Sequence, residues 1–247
     1  MIERQIEIVT PAGRMDTFVT HPERGGPFPV IFFYMDAPGI REELRDMVRR
    51  LAAVGYAVVL PNLYYRAATG TTLDQSTVRD EGGPERKRMF ALMYSLSNAL
   101  VIEDTRALLA FIDEQPYARA NPIGCVGYCM SGQFVFSAAA EFPDRIAAMA
   151  SLHGVGLVTD QPDSPHLRAG RVAAEMYFGF AEVDSWAPPE LVAELERTLR
   201  ATNTTYEVEW YVGTEHGFVF PKRPAYNKAA AERHWERLCA LFHRRLG

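Results

Sequence analysis

Several classes of protein are ruled out by what this chain has little of. It holds three cysteines in 247 residues, Cys125, Cys129 and Cys239. An odd, small count with no secretion leader argues against a disulfide framework. Cys125 and Cys129 stand four apart, which is not the C-x-x-C of a redox or zinc site. No H-E-x-x-H occurs and no His/Cys cluster has ligand spacing, so no metal site is expected. No run is rich in Lys or Arg, the net charge is -5 and the pI is near 5.7, so nucleic acid is not an expected partner. Residues 1–11 carry Glu3, Arg4 and Glu7 and no long apolar segment, so they do not read as a signal peptide. No stretch approaches the roughly 18 apolar residues of a membrane span. The expected location is the cytoplasm, with no membrane partner. No repeat, low-complexity block or linker is visible, and one domain over residues 1–247 is the economical expectation.

What is present is enough apolar surface for a large core: 48% of residues are hydrophobic. Residues 5–10 and 15–20 alternate in polarity around Pro11-Ala12-Gly13 and predict an antiparallel hairpin at a sheet edge. Continuous apolar runs at 29–34, 56–60, 123–127, 146–152 and 173–180 predict buried strands, and 206–212 alternates as a strand. Helical spacing is read at 41–54, 84–100, 101–113, 131–142, 189–199 and 225–246. The last of these places Trp235, Leu238 and Phe242 on one stripe, and Cys239 lies in that stripe. Strands and helices alternate after the hairpin, which predicts an α/β fold with a mostly parallel sheet covered on both faces. Residues 64–83 are polar and rich in Gly and Thr, a loop long enough to suggest function. In such sheets, sites form at the C-terminal ends of strands.

The segment Gly127-Tyr128-Cys129-Met130-Ser131-Gly132 follows one such strand. It approximates the nucleophile elbow G-x-S-x-G, with cysteine in the nucleophile position. The turn is sharp, so positions two before and two after the nucleophile must be small; Gly127 and Ser131 fill them. Ser131 is the weaker nucleophile candidate, because positions 129 and 133 are then Cys and Gln rather than Gly. The N–H groups of the following helix favour a thiolate at Cys129. The N–H of Met130 is placed to donate to an oxyanion. The bland alternative is a Gly-rich turn carrying a buried cysteine.

A base is expected late in the chain. His216, in Gly213-Thr214-Glu215-His216-Gly217, follows a strand and precedes the closing helix. His21, His166, His234 and His243 sit where packing or solvent accounts for them. His153 ends the strand 146–152 and competes, though it reads better as a wall of the pocket. The orienting acid should follow the strand 173–180, where Glu182 and Asp184 are both candidates and Asp184 is preferred. The order nucleophile, acid, base is that of α/β-hydrolases. After the first core strand, Asp36-Ala37-Pro38-Gly39 occupies the loop that supplies the second oxyanion N–H in this fold, here that of Ala37. Asp36 would then stand near the nucleophile, where a carboxylate can hold the resting thiol proton.

These residues resemble the dienelactone hydrolase (carboxymethylenebutenolidase) family. The resemblance runs through Met35-Asp36-Ala37-Pro38-Gly39-Ile40, Gly55-Tyr56-Ala57, Pro61-Asn62-Leu63-Tyr64, Gln115-Pro116-Tyr117, the elbow, Asp184 to Pro188 and His216-Gly217-Phe218. It implies an α/β-hydrolase with a Cys129–His216–Asp184 triad and no cofactor. It also implies cleavage of a small ester or lactone through a thioester. Asp36 stands where the family has a glutamate that pairs with the thiol, and it is shorter. Of two family arginines that hold a substrate carboxylate, one corresponds to Arg86, with Phe90 four residues on, although Arg88 competes. The other corresponds to Phe220, with Lys222 or Arg223 the next cation. A general small-ester or thioester hydrolase without dienelactone activity, and a silent ligand-binding relative, are the alternatives. The assembly expected is a monomer or a homodimer.

Overall fold

The computed structural model describes residues 1–67 and 72–247. Of the long segment 64–83, residues 68–71 therefore lie outside the described residues. The chain divides into two compact units, Met1–Ala120 and Asn121–Gly247.

In the first unit, β1 (Ile2–Thr10) and β2 (Gly13–His21) form the expected hairpin, with Thr10 opposite Gly13 across Pro11-Ala12. Gly13 has φ +138, a conformation that L side chains rarely adopt. Strand β2 pairs antiparallel with β4 (Ala57–Pro61), which pairs parallel with β3 (Phe28–Tyr34). All seven residues of β3 are buried, as a continuous apolar run predicts for a strand covered on both faces. Helix α1 (Glu42–Ala53) buries Leu44, Met47, Val48 and Leu51, the spacing of one helical face.

The boundary expected at 100/101 between two helices falls earlier. Helix α2 (Pro84–Tyr94) stops, and α3 (Asn98–Asp113) restarts at Ser97, whose side chain accepts from the N–H of Leu100. A serine N-cap satisfies the free N–H groups of a new helix, so the chain turns there rather than continuing. Asp104 of α3 is fully buried. Its carboxylate accepts from Tyr65 Oη at 2.7 Å and from both Arg66 Nη atoms at 2.7 and 2.8 Å. This pairing fixes the start of the 64–83 segment against the helix.

In the second unit, β5 (Ala118–Tyr128), β6 (Ile146–Leu152), β7 (Glu175–Val183) and β8 (Tyr206–Glu215) are neighbours in that order and all parallel. Strand β5 begins five residues before the apolar run, but its pairing with β6 starts only at Ile123. A 3₁₀ turn, Cys129–Ser131, leads into α4 (Gly132–Glu141). Helices α5 (Pro189–Arg200) and α6 (Lys228–Leu246) complete the unit, and α6 buries Trp235, Leu238 and Phe242 as its stripe predicts. Cys239 is half-buried. Among the described residues no helix is long and apolar enough to cross a membrane.

Removing one member of a buried ion pair leaves the other charge unpaired, at a cost of about 3–5 kcal/mol. Asp104→Ala is therefore expected to lower stability in urea unfolding by that amount. Glu7→Ala, which breaks only the exposed pair with Arg14, should leave the midpoint nearly unchanged.

Candidate active site

The register of the second unit places its chemistry. Tyr128, the last residue of β5, pairs with Leu152, the last of β6. The next residues along the chain are Cys129 and His153. Val183, the last of β7, pairs with Glu215, the last of β8, after a register shift between Ala181 and Val183. The next residues there are Asp184 and His216. Four residues with reactive or titratable side chains thus leave four neighbouring parallel strands at the same end. The sequence expectation ended β7 and β8 about three residues early; both strands run on to the residue before the acid and the base.

The elbow is strained where a nucleophile turn requires it. Cys129 has φ +53, a left-handed conformation costly for a residue with a Cβ, about 1–2 kcal/mol. Neighbouring glycines make room for it. A Cβ on Gly127 would stand 2.4 Å from the carbonyl oxygen of Ser131. A Cβ on Gly132 would stand 2.4 Å from the Cα of Gly154. The loop after β6 is consequently in backbone contact with the start of α4, and Val155 N–H donates to the Cys129 carbonyl at 2.8 Å. Helix α4 begins one residue later than the apolar pattern suggests, because the left-handed Cys129 forces a tighter first turn. Tyr128 Oη lies 3.3 Å from His234 Nε2, which ties the elbow to α6.

Asp184 Oδ2 accepts from His216 Nδ1 at 2.7 Å, with the carboxylate fully buried and the imidazole 17% exposed. Its other oxygen accepts from the N–H of Trp186 at 2.9 Å. Glu182, the rival acid, is exposed and accepts instead from the N–H of Gly213. The same imidazole hydrogen-bonds Cys129. Burial pulls the pKa of His216 down. The electrostatic interaction with Cys129, the hydrogen bonds with Asp184 and Cys129, and the Asp184 charge outweigh burial and raise it to about 10. Cys125, by contrast, is wholly buried, and burial pushes its thiol far above the ordinary range.

His153 is fully buried with φ +38, and its ring centroid lies 4.8 Å from that of His216. Burial, then the charges of His216, Arg223 and His234, hold it neutral. Phe220 is fully buried 5.6 Å from His153. The guanidinium of Arg223 stacks over Phe220 at 4.4 Å and lies where a Cβ on Gly217 would be 2.6 Å from its Nη1. A cation therefore stands against Gly217, next to His216 in the chain, even though position 220 is aromatic. Chain spacing alone left Lys222 and Arg223 equal; the stack on Phe220 distinguishes them. Met130 is buried behind the elbow. Trp186, which no sequence reading had picked out, had a legible signal: Asp-x-Trp at the start of a turn permits a carboxylate to cap the N–H two residues on.

The first unit carries the remaining candidates. Asp36 is fully buried and accepts from Arg41 Nη1 and Nη2 at 2.5 and 3.2 Å, while Arg41 also pairs with Glu43. Ala37 is buried and its carbonyl accepts from Tyr64 Oη at 2.8 Å. Arg86 is half-buried, donates to the Arg79 carbonyl, and lies 5.8 Å from the Phe90 ring centroid. Arg88, its competitor, is exposed and pairs with Glu85. The other histidines have packing roles: His21 stacks on Tyr117 and His166 bonds Ser164. Among the described residues no group of three or more His, Cys, Asp or Glu is arranged to hold a metal ion.

Solved structures share this architecture over the whole chain. A Klebsiella pneumoniae protein superposes with TM-score 0.85 at 24% identity, covering 98% of each chain. A dienelactone hydrolase from Anabaena variabilis gives 0.72 at 15%, covering 100% of this chain and 99% of that one. The fold is that of the α/β-hydrolases. The sequence model of the dienelactone hydrolase family matches residues 15–246, and the chain belongs to that family. Carboxymethylenebutenolidase of Pseudomonas putida is 28% identical over 206 residues, which is 83% of this chain and 81% of that one. A Synechocystis protein is 25% identical over 232 residues, 93% and 91% of the two chains. The chain is a hydrolase of carboxylic esters or lactones.

The raised pKa of His216 has a sign that can be checked. A folded-state value above the unfolded one gives stability that is complete below about 6.5 and lost as pH rises through about 10. Histidine-labelled NMR is expected to find the His216 ring still doubly protonated at pH 8. In Cys129→Ala the titration should fall by about 1–3 units, because the adjacent negative charge is gone.

Proposed function

We propose that the chain hydrolyses a small, dienelactone-like ester or lactone with Cys129 as nucleophile, His216 as acid and base, and Asp184 as the orienting carboxylate. The observation that supports this most directly is the continuous row Asp184–His216–Cys129 at three strand ends, with His216 Nδ1 2.7 Å from the Asp184 carboxylate and the imidazole pKa raised by both neighbours. A thiolate–imidazolium pair is already nucleophilic, so no proton need be removed before attack. The thiolate adds to the substrate carbonyl, and the N–H of Met130 stabilises the oxyanion. The tetrahedral intermediate collapses to a thioester. The leaving alkoxide or enolate takes its proton from His216. The now neutral imidazole accepts a proton from water, and the hydroxide adds to the thioester carbonyl. Thiolate is expelled, which regenerates the thiolate–imidazolium pair, and the carboxylic acid product releases its proton to solvent. Asp184 stays ionised and keeps the Nδ1–H tautomer fixed throughout.

Phe220 favours a second reading, in which simple esters or thioesters are the substrates and dienelactone is not. Its ring replaces the cation expected to hold the dienelactone carboxylate. Arg223, stacked on that ring, is the side chain that would restore it.

Iodoacetamide on the native protein is expected to alkylate Cys129 and spare Cys125. Cys129→Ala and His216→Gln should each lower p-nitrophenyl acetate turnover at least about a thousandfold. Labelling of Cys125 or Cys239 with Cys129 inert would overturn the assignment. Turnover of dienelactone at a kcat/KM well above that for p-nitrophenyl acetate would remove the second reading, and Arg223→Gln should then raise the KM for dienelactone alone.

A further inference from the structure

His153 leaves its strand beside Cys129 and belongs to the same row of strand ends as the proposed triad, yet the mechanism above gives it no task. Its chemistry is out of keeping with a packing role. The ring is enclosed by Tyr128, His216, Phe218 and Phe220, with centroids 6.0, 4.8, 5.8 and 5.6 Å away. In such surroundings a phenyl ring would be cheaper. Neither Nδ1 nor Nε2 makes a hydrogen bond of normal geometry among the described residues. A buried polar atom left unpaired destabilises a fold, and such atoms in native proteins call for an explanation. The backbone is also strained, with φ +38, held by the His153 N–H donating to the Gly179 carbonyl at 2.6 Å. Strain and unpaired polarity at one residue are together the mark of a functional position.

The imidazole is held neutral by burial and by the neighbouring cations, so it offers one N–H donor and one nitrogen acceptor and no charge. Of the four rings around it, only His216 is open to solvent; Tyr128, Phe218 and Phe220 are fully buried. His216 is therefore the side from which a ligand atom would approach the ring, the side on which the ester sits in the proposed mechanism. Because the nitrogens are already stripped of water, pairing them costs no further desolvation on the protein's side. A site built this way discriminates strongly against an analogue that lacks the hydrogen-bonding atom.

We infer that His153 is a specificity-determining residue that hydrogen-bonds an uncharged oxygen of the substrate, so that the preferred substrates are small esters or lactones bearing a second oxygen (alkoxy, hydroxy or keto) next to the scissile carbonyl. This rests on the reading of Cys129, His216 and Asp184 as the reacting groups.

The test compares p-nitrophenyl methoxyacetate with p-nitrophenyl butyrate, which differ by an ether oxygen in place of a methylene. The ratio of their kcat/KM values is measured in the native protein, His153→Phe and His153→Asn, so that intrinsic reactivity cancels. In His153→Phe the methoxyacetate-to-butyrate ratio should fall about tenfold or more. The melting temperature should change by no more than about 2–4 °C, since the removal of unpaired polar atoms and the cost of phenylalanine at φ +38 oppose each other. His153→Asn, whose amide tolerates the left-handed backbone, should restore part of the ratio and also decides the matter if His153→Phe fails to fold. Equal losses on both esters would overturn the inference and assign His153 to packing against His216. An unchanged ratio in both variants would also overturn it and point to an internal water as the partner of the ring. If the native protein hydrolyses neither ester, the proposed function fails separately. Thermal shift with methoxyacetate and butyrate anions then decides: a larger shift with methoxyacetate, lost in His153→Phe, supports the inference, and equal shifts overturn it.

Discussion

Cys129 is held in a left-handed backbone conformation, and much of the second unit is arranged around that constraint. The turn projects the sulfur from the end of β5 instead of burying it among the side chains of the sheet, as happens to Cys125 four residues earlier. It is possible only because Gly127 leaves room for the Ser131 carbonyl and Gly132 lets Gly154 approach backbone to backbone. The hydrogen bond from Val155 N–H to the Cys129 carbonyl then locks the loop after β6 to the elbow. Strain of about 1–2 kcal/mol at one residue is small beside the burial of the apolar runs of β5, β6 and β7, each of whose large side chains contributes about 1.5–3 kcal/mol. The fold can therefore carry the strain without losing cooperativity.

Electrostatics follow from the same geometry. An imidazole buried alone would lose its proton, as His153 does; His216 keeps one because it stands between Asp184 and Cys129. Two histidines whose rings are 4.8 Å apart thus have pKa values shifted in opposite directions by their surroundings. Charge on one and neutrality on the other is how a single site can hold both an acid–base group and an uncharged hydrogen-bonding group.

Much of this was legible in the sequence because the relevant signals are local. Gly127-Tyr128-Cys129 at the end of an apolar run announces an elbow, and the order Cys129, Asp184, His216 after successive strands fits one fold. The hairpin followed from alternation around Pro11-Ala12-Gly13. What escaped was set by tertiary contact. The break between α2 and α3 was expected a few residues late, because the residues on both sides of Ser97 have helical character and only the cap decides. The preference for Asp184 over Glu182 was open to the sequence; the register shift in β7 that goes with Asp184 facing His216 was not. Arg223 was one of two equivalent cations until its stacking on Phe220 was seen. The pairing of Asp36 with Arg41 joins residues five apart in an irregular loop, where spacing carries no information.

The central claim is that Cys129 becomes covalently acylated during turnover. The direct measurement is rapid quenching in acid during hydrolysis of p-nitrophenyl acetate, followed by peptide mass mapping. The account predicts a mass increase of one acetyl group (about 42 Da) on the peptide containing Cys129, absent in Cys129→Ala and released by neutral hydroxylamine as expected of a thioester. Turnover with the acetyl group on Ser131, or with no covalent adduct at all in a quench that captures the steady state, would contradict it.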